Sequence, residues 1–378
     1  MARVVVGSYM VRYPLGGMMS WVLQYLAGFH ALGHEVWFVE RAGWPDACFD
    51  PVRGTMTDDP SSGTRAVAEL LERVGLAGRW CFVDVEGRHH GLDGDALRSV
   101  FAGTDVFVDM GTHGAFAEES QASGLRVLLD GEPGLTQMKM DASPSDLPEY
   151  DAYYTTGRNI GTPRSSVPTA GRDWRPIVHP VVPELFPVRP LSRAPFTTVM
   201  NWHSHGEVRR NGVVYGQKDL SFAEFADLPA RVAAEMELAV GGPEAPFDEL
   251  RAHGWRVRDA HEVTATFDGF RDYLASSLGE FGLCKQAFVA TRSGWFSDRS
   301  AAYLAGGRPV VLQETGFSDH LPCGEGLFAA ATADEAAEAV EAIAAEPERH
   351  SAAARRIAEE HLAAERVLGG FLEELGVT

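Results

Sequence analysis

The segment that decides the fold runs from Ala287 to Ile343 and reads AFVATRSGWFSDRSAAYLAGGRPVVLQETGFSDHLPCGEGLFAAATADEAAEAVEAI. Short apolar runs alternate in it with stretches of small residues, and glycines stand where elements should end. This order predicts a strand at 288–290, a helix at 301–305, a strand at 309–312, and a last helix that Thr332 opens with a capping box. Such alternation is typical of a parallel α/β sheet.

The turn after the 309–312 strand contains Thr315, Gly316 and Phe317. Its glycine lets backbone amides face outward. Amides at a strand-to-helix turn form an anion site, and the usual occupant of such a site is a phosphate. The turn is therefore a candidate phosphate site.

The first half of the chain repeats the strand–helix theme. A strand at 3–8 leads through a Gly16–Gly17 loop into a helix that Gly33 ends, and a second strand follows at 35–39. The further elements predicted in this half are strands near 81–83, 106–109, 127–130 and 152–155, and helices at 65–74 and 95–102. The fold class is therefore α/β, with parallel strands and right-handed crossovers.

The segment at 187–195 reads PVRPLSRAP, and its prolines are typical of a linker. We therefore divide the chain into four predicted segments. They are an N-terminal Rossmann-like domain over 1–186, the linker over 187–195, a C-terminal Rossmann-like domain over 196–350, and helices over 351–378 that pack across the junction. Two such domains facing one another form a ligand cleft where strand ends meet.

The composition limits the partners. The chain has 378 residues, with 33 Lys and Arg against 53 Asp and Glu, which gives a net charge of −20. The electrostatic field of this negative charge disfavours nucleic acid and anionic membranes as partners. The four cysteines show no Cys-x-x-Cys spacing and are expected to be reduced thiols. No signal peptide or membrane span is predicted, so we expect a cytoplasmic protein. The oligomeric state is left open, a homodimer being one possibility.

Several motifs resemble those of GT-B glycosyltransferases. In the second half these are GRPVV at 307–311, TG at 315–316 and GLF at 326–328, in the order seen in the donor half of those enzymes. In the first half, GG at 16–17 and LGHEV at 32–36 resemble the opening of the retaining, family-four type. The VGG at 240–242 resembles the middle signature of that type.

The resemblance implies a GT-B fold, in which two Rossmann-like domains face each other across a cleft. It also implies transfer of a sugar from a nucleotide diphosphate sugar to a small-molecule acceptor, such as a natural product, with no metal and no other cofactor. Gly16 and Gly17 would approach the donor diphosphate closely, which only residues without a β-carbon permit.

One family mark is missing. The usual pair of glutamates, eight positions apart, falls here on Gly294 and Ala302. Asp298, at the predicted helix start, offers a replacement carboxylate. Arg299 and Ser300 beside it suit phosphate oxygens, the alternative being a capping aspartate with a solvated arginine. The departure leaves the stereochemical outcome, retaining or inverting, open.

In the family a basic pair stabilises the departing diphosphate, and Lys218 is the nearest match, with Arg209 or Arg210 as its expected partner. The alternative for Lys218 is a solvated surface lysine. Trp295 either stacks on the nucleobase or belongs to the core. The whole predicted donor-binding set is Gly16, Gly17, Trp202, Lys218, Ser293, Trp295, Asp298, Arg299, Ser300, Thr315, Gly316 and Phe317.

The acceptor is expected against the loops of the first half. His113 follows a strand, where it either contacts a sugar hydroxyl, acts as a general base or merely bonds within its loop. Glu132 follows the next strand and supplies a carboxylate base if the enzyme inverts. Tyr13 is the third acceptor residue. His113 and Glu132 are the catalytic candidates.

Three patterns look like metal sites. Asp93 and Asp95 have the spacing of metal-dependent GT-A enzymes, but they precede a helix and are expected to cap it. The histidine pairs at 89–90 and 203–205 lack companion ligands at suitable spacing. No metal site is therefore expected.

Two rival functions remain open. One is an epimerase of the same fold, which would rearrange a nucleotide sugar without an acceptor. The other, motivated by the missing glutamate pair, is a catalytically silent homologue that activates a partner transferase. A silent partner should also lose its phosphate-binding residues, and Lys218, Arg299 and Ser300 are present.

Overall fold

The computed structural model describes residues 1–145, 147–191, 194–204, 206–242 and 244–377. The strands are β1 (Arg3–Gly7), β2 (Glu35–Arg41), β3 (Cys48–Asp50), β4 (Thr55–Thr57), β5 (Trp80–Val83), β6 (His89–Gly91), β7 (Val106–Asp109), β8 (Leu125–Asp130), β9 (Ala152–Thr155), β10 (Trp174–Pro176), β11 (Phe196–Asn201), β12 (Val208–Arg210), β13 (Val213–Tyr215), β14 (Met236–Gly241), β15 (Arg256–Asp259), β16 (Gly279–Gly282), β17 (Val310–Gln313) and β18 (Leu327–Ala330).

The helices alternate with these strands in both halves. They are α1 (Gly16–Ala31), α2 (Ser61–Arg73), α3 (Gly94–Ala102), α4 (Leu135–Ala142), α5 (Lys218–Phe222), α6 (Phe247–Ala252), α7 (His261–Thr264), α8 (Phe267–Ala275), α9 (Gln286–Ala290), α10 (Asp298–Ala305), α11 (Ala333–Ala345), α12 (Pro347–Ile357) and α13 (Ala364–Glu374). A π-helical segment, Ala358–Leu362, joins α12 to α13.

Two large sheets form the framework. The first has eight strands in the order β10-β9-β8-β7-β1-β2-β5-β6, and only its β5–β6 pair is antiparallel among the described residues. The second has six strands in the order β15-β14-β11-β16-β17-β18, and its pairs are parallel. The predicted α/β fold with parallel sheets is confirmed.

The predicted strand at 288–290 is wrong, because this run forms helix α9. A short apolar run cannot be assigned to a strand or a buried helix by periodicity alone. The true strand is β16, GEFG, which is buried along its whole length although it holds two glycines and a glutamate. The capping box is confirmed: Glu335 N donates to Thr332 Oγ1 at 3.3 Å, and Thr332 N donates to Glu335 Oε2 at 3.2 Å.

The two halves are joined by close packing near the predicted linker, whose residues 192 and 193 lie outside the described part of the chain. Val181 N donates to Leu362 O, and Ala364 N donates to Val181 O, both at 2.8 Å. The buried Arg308 guanidinium donates to Ala275 O at 2.6 Å and to Arg189 O at 3.1 Å. These bonds tie the segment after β10, the linker and the C-terminal helices together.

Helix α13 returns from the second half and packs on α1 of the first. A β-carbon at Gly28 of α1 would lie 2.7 Å from Ala364 Cβ, so the glycine permits a close helix crossing. Tyr154 of β9 contacts Phe371 with ring centroids 4.7 Å apart. Within the described residues, no helix combines the length and apolarity needed to cross a bilayer.

Candidate functional site

A buried carboxylate fixes the loop after β1. Glu40, in β2, is fully buried and accepts hydrogen bonds from Met10 N at 2.8 Å, Val11 N at 2.6 Å and Arg12 N at 3.0 Å. Arg12 Nε also donates to it, at 3.0 Å. Burial raises the pKa of Glu40, and Arg12 and the three amides oppose that shift. The loop that carries Tyr13 is thus held rigidly at the end of β1.

A second carboxylate does the same after β7. Asp109 accepts from the phenol of Tyr150 at 2.6 Å and from three backbone amides of its own loop, those of Gly111, Thr112 and Gly114. His113 sits inside this loop with φ +53°, a left-handed conformation that histidine tolerates better than most residues. It lies at the end of β7, as predicted. Burial lowers the pKa of His113, so its imidazole is neutral at pH 7.

A third carboxylate presents Glu132 after β8. Asp130 accepts from Glu132 N at 2.8 Å, Gln137 Nε2 at 2.7 Å and Thr155 Oγ1 at 2.8 Å. The Glu132 side chain is 45% exposed and reaches across to the second half, where its Oε2 lies 2.5 Å from Lys285 Nζ. This ion pair brings the loop after β8 against the loop after β16.

Lys285 was missed by the sequence analysis. It follows β16, and backbone bonds then place the start of α5 beside it: Ala287 N donates to Gly216 O, and Gln286 N to Gln217 O, both at 3.2 Å. Lys218 opens α5 and is therefore a neighbour of Lys285. Burial lowers the pKa of Lys218 to about 7, and the positive charges of Arg299 and Lys285 add to that effect.

Lys218 therefore has a different partner from the one predicted. Arg209 and Arg210 lie on the β12–β13 hairpin, and Arg209 pairs with Glu207 at 3.5 Å. Arg210 reaches Asp141 of the first half at 2.7 Å. Neither arginine is among the cations whose charge acts on Lys218, which are Arg299 and Lys285. A lysine in the loop after a strand was the available signal for Lys285, but the sequence did not predict strand β16.

Arg299, a predicted phosphate ligand, is engaged by protein groups through two of its nitrogens. Its Nε donates to the fully buried Glu280 carboxylate, and its Nη1 donates to Val199 O at 2.9 Å. Burial disfavours its charge, but the Glu280 carboxylate outweighs this and raises the pKa of Arg299. Its Nη2 is buried, with no hydrogen-bond partner in the described part of the chain. The solvated-arginine alternative is wrong.

Tyr9 shows which groups converge in the cleft. Burial raises the pKa of its phenol, and the charges of Glu132, Arg12 and Asp298 act on the same group. Its ring contacts Trp21, with centroids 5.6 Å apart, and Tyr13, with centroids 6.2 Å apart. Asp298 starts α10, and its half-buried carboxylate therefore faces the loops of the first half.

Gly16 and Gly17 do not form the predicted loop, because α1 begins at Gly16. A β-carbon at Gly16 would lie 2.4 Å from Thr266 O and 2.5 Å from Phe270 Cβ, so the missing side chain allows α1 to contact α8. At Gly17 the nearest such atom is Phe270 Cε2, 3.9 Å away. Gly16 thus allows a close approach of α1 to the second half of the protein, and not the predicted approach of a loop to the donor diphosphate.

The Thr315–Gly316 turn also differs from the prediction. Gly316 has φ +94°, but its amide donates to the Glu314 carboxylate instead of facing outward. A β-carbon at Gly316 would lie 2.4 Å from Asn159 Nδ2. Thr315 Oγ1 donates to Trp295 O at 2.5 Å. A carboxylate already occupies the place expected for a phosphate.

Three aromatic candidates belong to the core. Trp202 packs on Phe222, Trp295 on Phe288 and Phe317 on Phe296, with ring centroids 5.4, 4.8 and 5.5 Å apart. The core alternative for Trp295 is thereby confirmed, and Trp202 and Phe317 are buried as well.

Ser293 and Ser300 are fully buried. Ser300 Oγ has no hydrogen-bond partner among the described residues. Ser293 Oγ accepts a hydrogen bond from Trp295 N at 3.4 Å, so it holds the loop before α10.

The capping alternative for Asp93 is confirmed, since Asp93 Oδ1 accepts from Ala96 N at 2.8 Å at the start of α3. His90 Nε2 lies 3.0 Å from Asp84 Oδ2. Of the 203–205 pair, His205 lies outside the described residues, and His203 is 3.2 Å from Asp219. Within the described part, no group of three or more His, Cys, Asp or Glu is placed to hold a metal ion.

Neither a protein-family model nor a curated protein matches the sequence. Solved structures match over nearly the whole chain. AviGT4, described as a glycosyltransferase involved in Avilamycin A biosynthesis, has a TM-score of 0.54 and 16% identity, covering 99% of this chain and 97% of its own. HepE of Anabaena, solved with UDP and glucose, has a TM-score of 0.60 and 11% identity, covering 100% of both chains.

An alpha-glucosyltransferase solved with UDP and a 13-mer DNA has a TM-score of 0.62 and 8% identity, covering 98% of both chains. At these identities the likeness establishes the fold. The chain adopts the GT-B fold of these glycosyltransferase structures.

Proposed function

We propose that the protein is a glycosyltransferase that moves a sugar from a nucleotide diphosphate sugar to a small-molecule acceptor. The observation that carries this proposal is the convergence of Lys218 and Lys285 beside Arg299 in the cleft. Negative charge develops on the departing diphosphate during transfer. Buried cations that are already in place stabilise that charge strongly, because they need no reorganisation. The neighbours solved with UDP support this donor class.

The protonation of Lys218 is consistent with an anion site. Its pKa is lowered to about 7, because burial and two neighbouring cations disfavour its charge. A diphosphate placed against this cluster would reverse that balance and restore the full charge of the lysine. Lys218 would then bind the diphosphate together with Lys285.

Glu132 has two successive roles in this proposal. In the structure its carboxylate is paired with Lys285. A diphosphate competes for the same lysine, and donor binding would therefore release Glu132 towards the acceptor. A released carboxylate after β8 can accept the proton of an acceptor hydroxyl, which is the role of the base in an inverting transfer. The ordered sequence is donor first and acceptor second.

We propose a small-molecule acceptor, because the net charge of −20 repels a nucleic-acid backbone. One structural neighbour was solved with DNA, so this part of the proposal needs its own test. The likeness to AviGT4 supports a natural-product acceptor. We propose further that Lys218 and Lys285 neutralise the diphosphate without a metal ion, and that the protein acts in the cytoplasm.

Calorimetric titration with UDP, dTDP and GDP tests the proposal. We expect one nucleotide to bind, and Lys285→Met to weaken that binding by about tenfold or more, the worth of a hydrogen bond to a charged group. Arg209→Met is the matched control, because Arg209 is exposed and paired with Glu207. Absence of binding by all three nucleotides, or unchanged affinity in Lys285→Met, would contradict the proposal.

Turnover assays separate the two rivals. Incubation of the bound nucleotide's sugar conjugate with the protein alone should leave the sugar unchanged, whereas an epimerase would rearrange it. Addition of candidate small-molecule acceptors should yield a glycosylated product. Tight nucleotide binding with no turnover under any condition would favour the silent partner.

A further inference from the structure

A second cavity lies where both halves meet the C-terminal helix. Its volume is about 290 Å³, close to the roughly 300 Å³ at which ligand cavities begin. It is bounded by the segments after β9 and β10, by the turn after β17, and by α13. Its lining does not include Lys218, Lys285 or Glu132, so it is distinct from the donor cleft.

Arg158 is the unusual group in this cavity. It is half-buried, and burial lowers its pKa, so its charge is disfavoured where it stands. No carboxylate or carbonyl of the described residues accepts a hydrogen bond from its guanidinium. By contrast, the nearby Arg164 and Arg292 both pair with Asp319, at 3.9 and 3.5 Å. A partly desolvated guanidinium without a counter-ion is a binding group for an oxyanion.

The rest of the lining suits a hydroxylated body. His320 lies beside Arg158, whose charge lowers the pKa of His320 after the larger effect of burial. On the α13 side, Glu374 accepts a hydrogen bond from the Tyr154 phenol at 3.0 Å and keeps further acceptor capacity. Glu360 lines the same cavity. The cavity thus offers a guanidinium for an oxyanion, and carboxylates that can accept hydrogen bonds from hydroxyl groups.

From this arrangement we propose that the cavity binds a sugar phosphate, with the phosphate on Arg158 and the sugar hydroxyls towards Glu374 and Glu360. The guanidinium fork matches two phosphate oxygens, which a single hydroxyl cannot do.

The cavity is connected to the cleft through the residue after Arg158. Asn159 N donates to Ser293 O at 2.9 Å, and Asn159 Nδ2 donates to Arg292 O at 3.1 Å. Asn159 Oδ1 is 2.8 Å from Nε2 of His320. The 292–293 loop leads into α10, which carries Asp298 and Arg299. An occupied cavity would therefore alter the affinity for the donor. This consequence rests on the proposed function, whereas the binding of a sugar phosphate in the cavity does not depend on it.

Calorimetric titration of the full chain with glucose 6-phosphate, with and without millimolar UDP, tests the site. We expect binding in both conditions, weakened about tenfold or more in Arg158→Gln because a charge-assisted bond is lost. Arg164→Gln is the control, since Arg164 is exposed and lies outside the lining. Arg366→Gln, an exposed residue of the lining on α13, is a second test if Arg158→Gln does not fold, with a weakening of about threefold expected.

Inorganic phosphate and glucose resolve the chemistry. Weaker binding of phosphate than of glucose 6-phosphate, with no binding of glucose, supports the proposal. Equal affinity of wild type and both lining variants for glucose 6-phosphate, equal binding of glucose, or no binding to the wild type would overturn it. Failure of UDP, dTDP and GDP alike to bind would instead contradict the proposed function, and would leave the dependence of glucose 6-phosphate binding on Arg158 measurable.

Discussion

Two buried arginine–glutamate pairs, one in each half of the protein, have very different surroundings. Glu40 of the first half accepts hydrogen bonds from Arg12 Nε and from three backbone amides, so both of its carboxylate oxygens have partners. Glu280 of the second half receives Arg299 Nε, but its Oε2 has no partner among the described residues. Arg299 Nη2 is likewise buried without a partner there.

The difference teaches how to separate a structural charge from a functional one. Glu40 bonds to the loop after β1 and has little capacity left for a ligand. Arg299 keeps an unused donor. Its charge and that of Lys285 add to burial in lowering the pKa of Lys218. Buried polar groups are normally satisfied, so an unpartnered donor in a cleft is a candidate ligand-binding group.

The largest effect expected from this comparison is on stability. Arg299→Met leaves the Glu280 carboxylate buried without a cation, and it should lower the free energy of unfolding by about 3–5 kcal/mol. Arg12→Met leaves three amides on Glu40, and we expect a loss of about 2 kcal/mol. Urea unfolding of the two variants measures both values. A loss in Arg12→Met equal to or larger than that in Arg299→Met would break the comparison.

The second effect is a pH dependence of nucleotide binding. The pKa of Lys218 in the free protein is about 7, and a bound diphosphate should raise it. Below pH 7 the lysine is already charged, so affinity for the nucleotide should not change with its protonation. Above pH 7 binding must take up a proton, and affinity should fall about tenfold per pH unit.

Calorimetry in buffers of different ionisation enthalpy measures this proton uptake directly. Lys218→Arg is the control, because an arginine stays charged throughout. Proton uptake that persists unchanged in Lys218→Arg would show that another group titrates.

The fold was largely predictable from the sequence because its elements are marked locally. The capping box at Thr332 and the loop placement of His113 and Glu132 follow from short-range rules and are confirmed. Strand β16 was not predictable, since a GEFG segment carries no strand pattern of its own. Missing this strand also hid Lys285, which lies in the loop that follows it.

The roles of the site residues were harder to predict, because they depend on partners far away in the sequence. Gly16 looks like a phosphate-loop glycine until Thr266 O is found 2.4 Å from where its β-carbon would stand. Arg299 looks like an exposed arginine until the buried Glu280 is placed beside it. No spacing rule connects such residues before the sheets are assembled.

A third effect concerns the ion pair between the halves. Unlike Glu280, Glu132 is partly exposed, and a ligand can replace it on Lys285. Glu132→Gln removes the competing carboxylate, so nucleotide affinity should rise, by about three- to tenfold after allowing for solvent screening. Sugar transfer should fall in the same variant, because the base is lost. Calorimetry and a transfer assay measure the two changes, and weaker nucleotide binding would contradict the exchange.

The smallest effect tests the comparison at the surface. Like Glu40, Asp93 accepts a hydrogen bond from the backbone: Ala96 N, at the start of α3, donates to its carboxylate. Asp93→Ala should therefore cost about 1 kcal/mol of stability, the usual worth of a helix cap, and leave nucleotide binding and transfer unchanged. Thermal unfolding and a transfer assay, with and without a chelator, measure these values. A loss of activity without a loss of stability would mean that the Asp-x-Asp pair acts in catalysis. It would also mean that a carboxylate whose hydrogen bonds are satisfied by the backbone need not be structural.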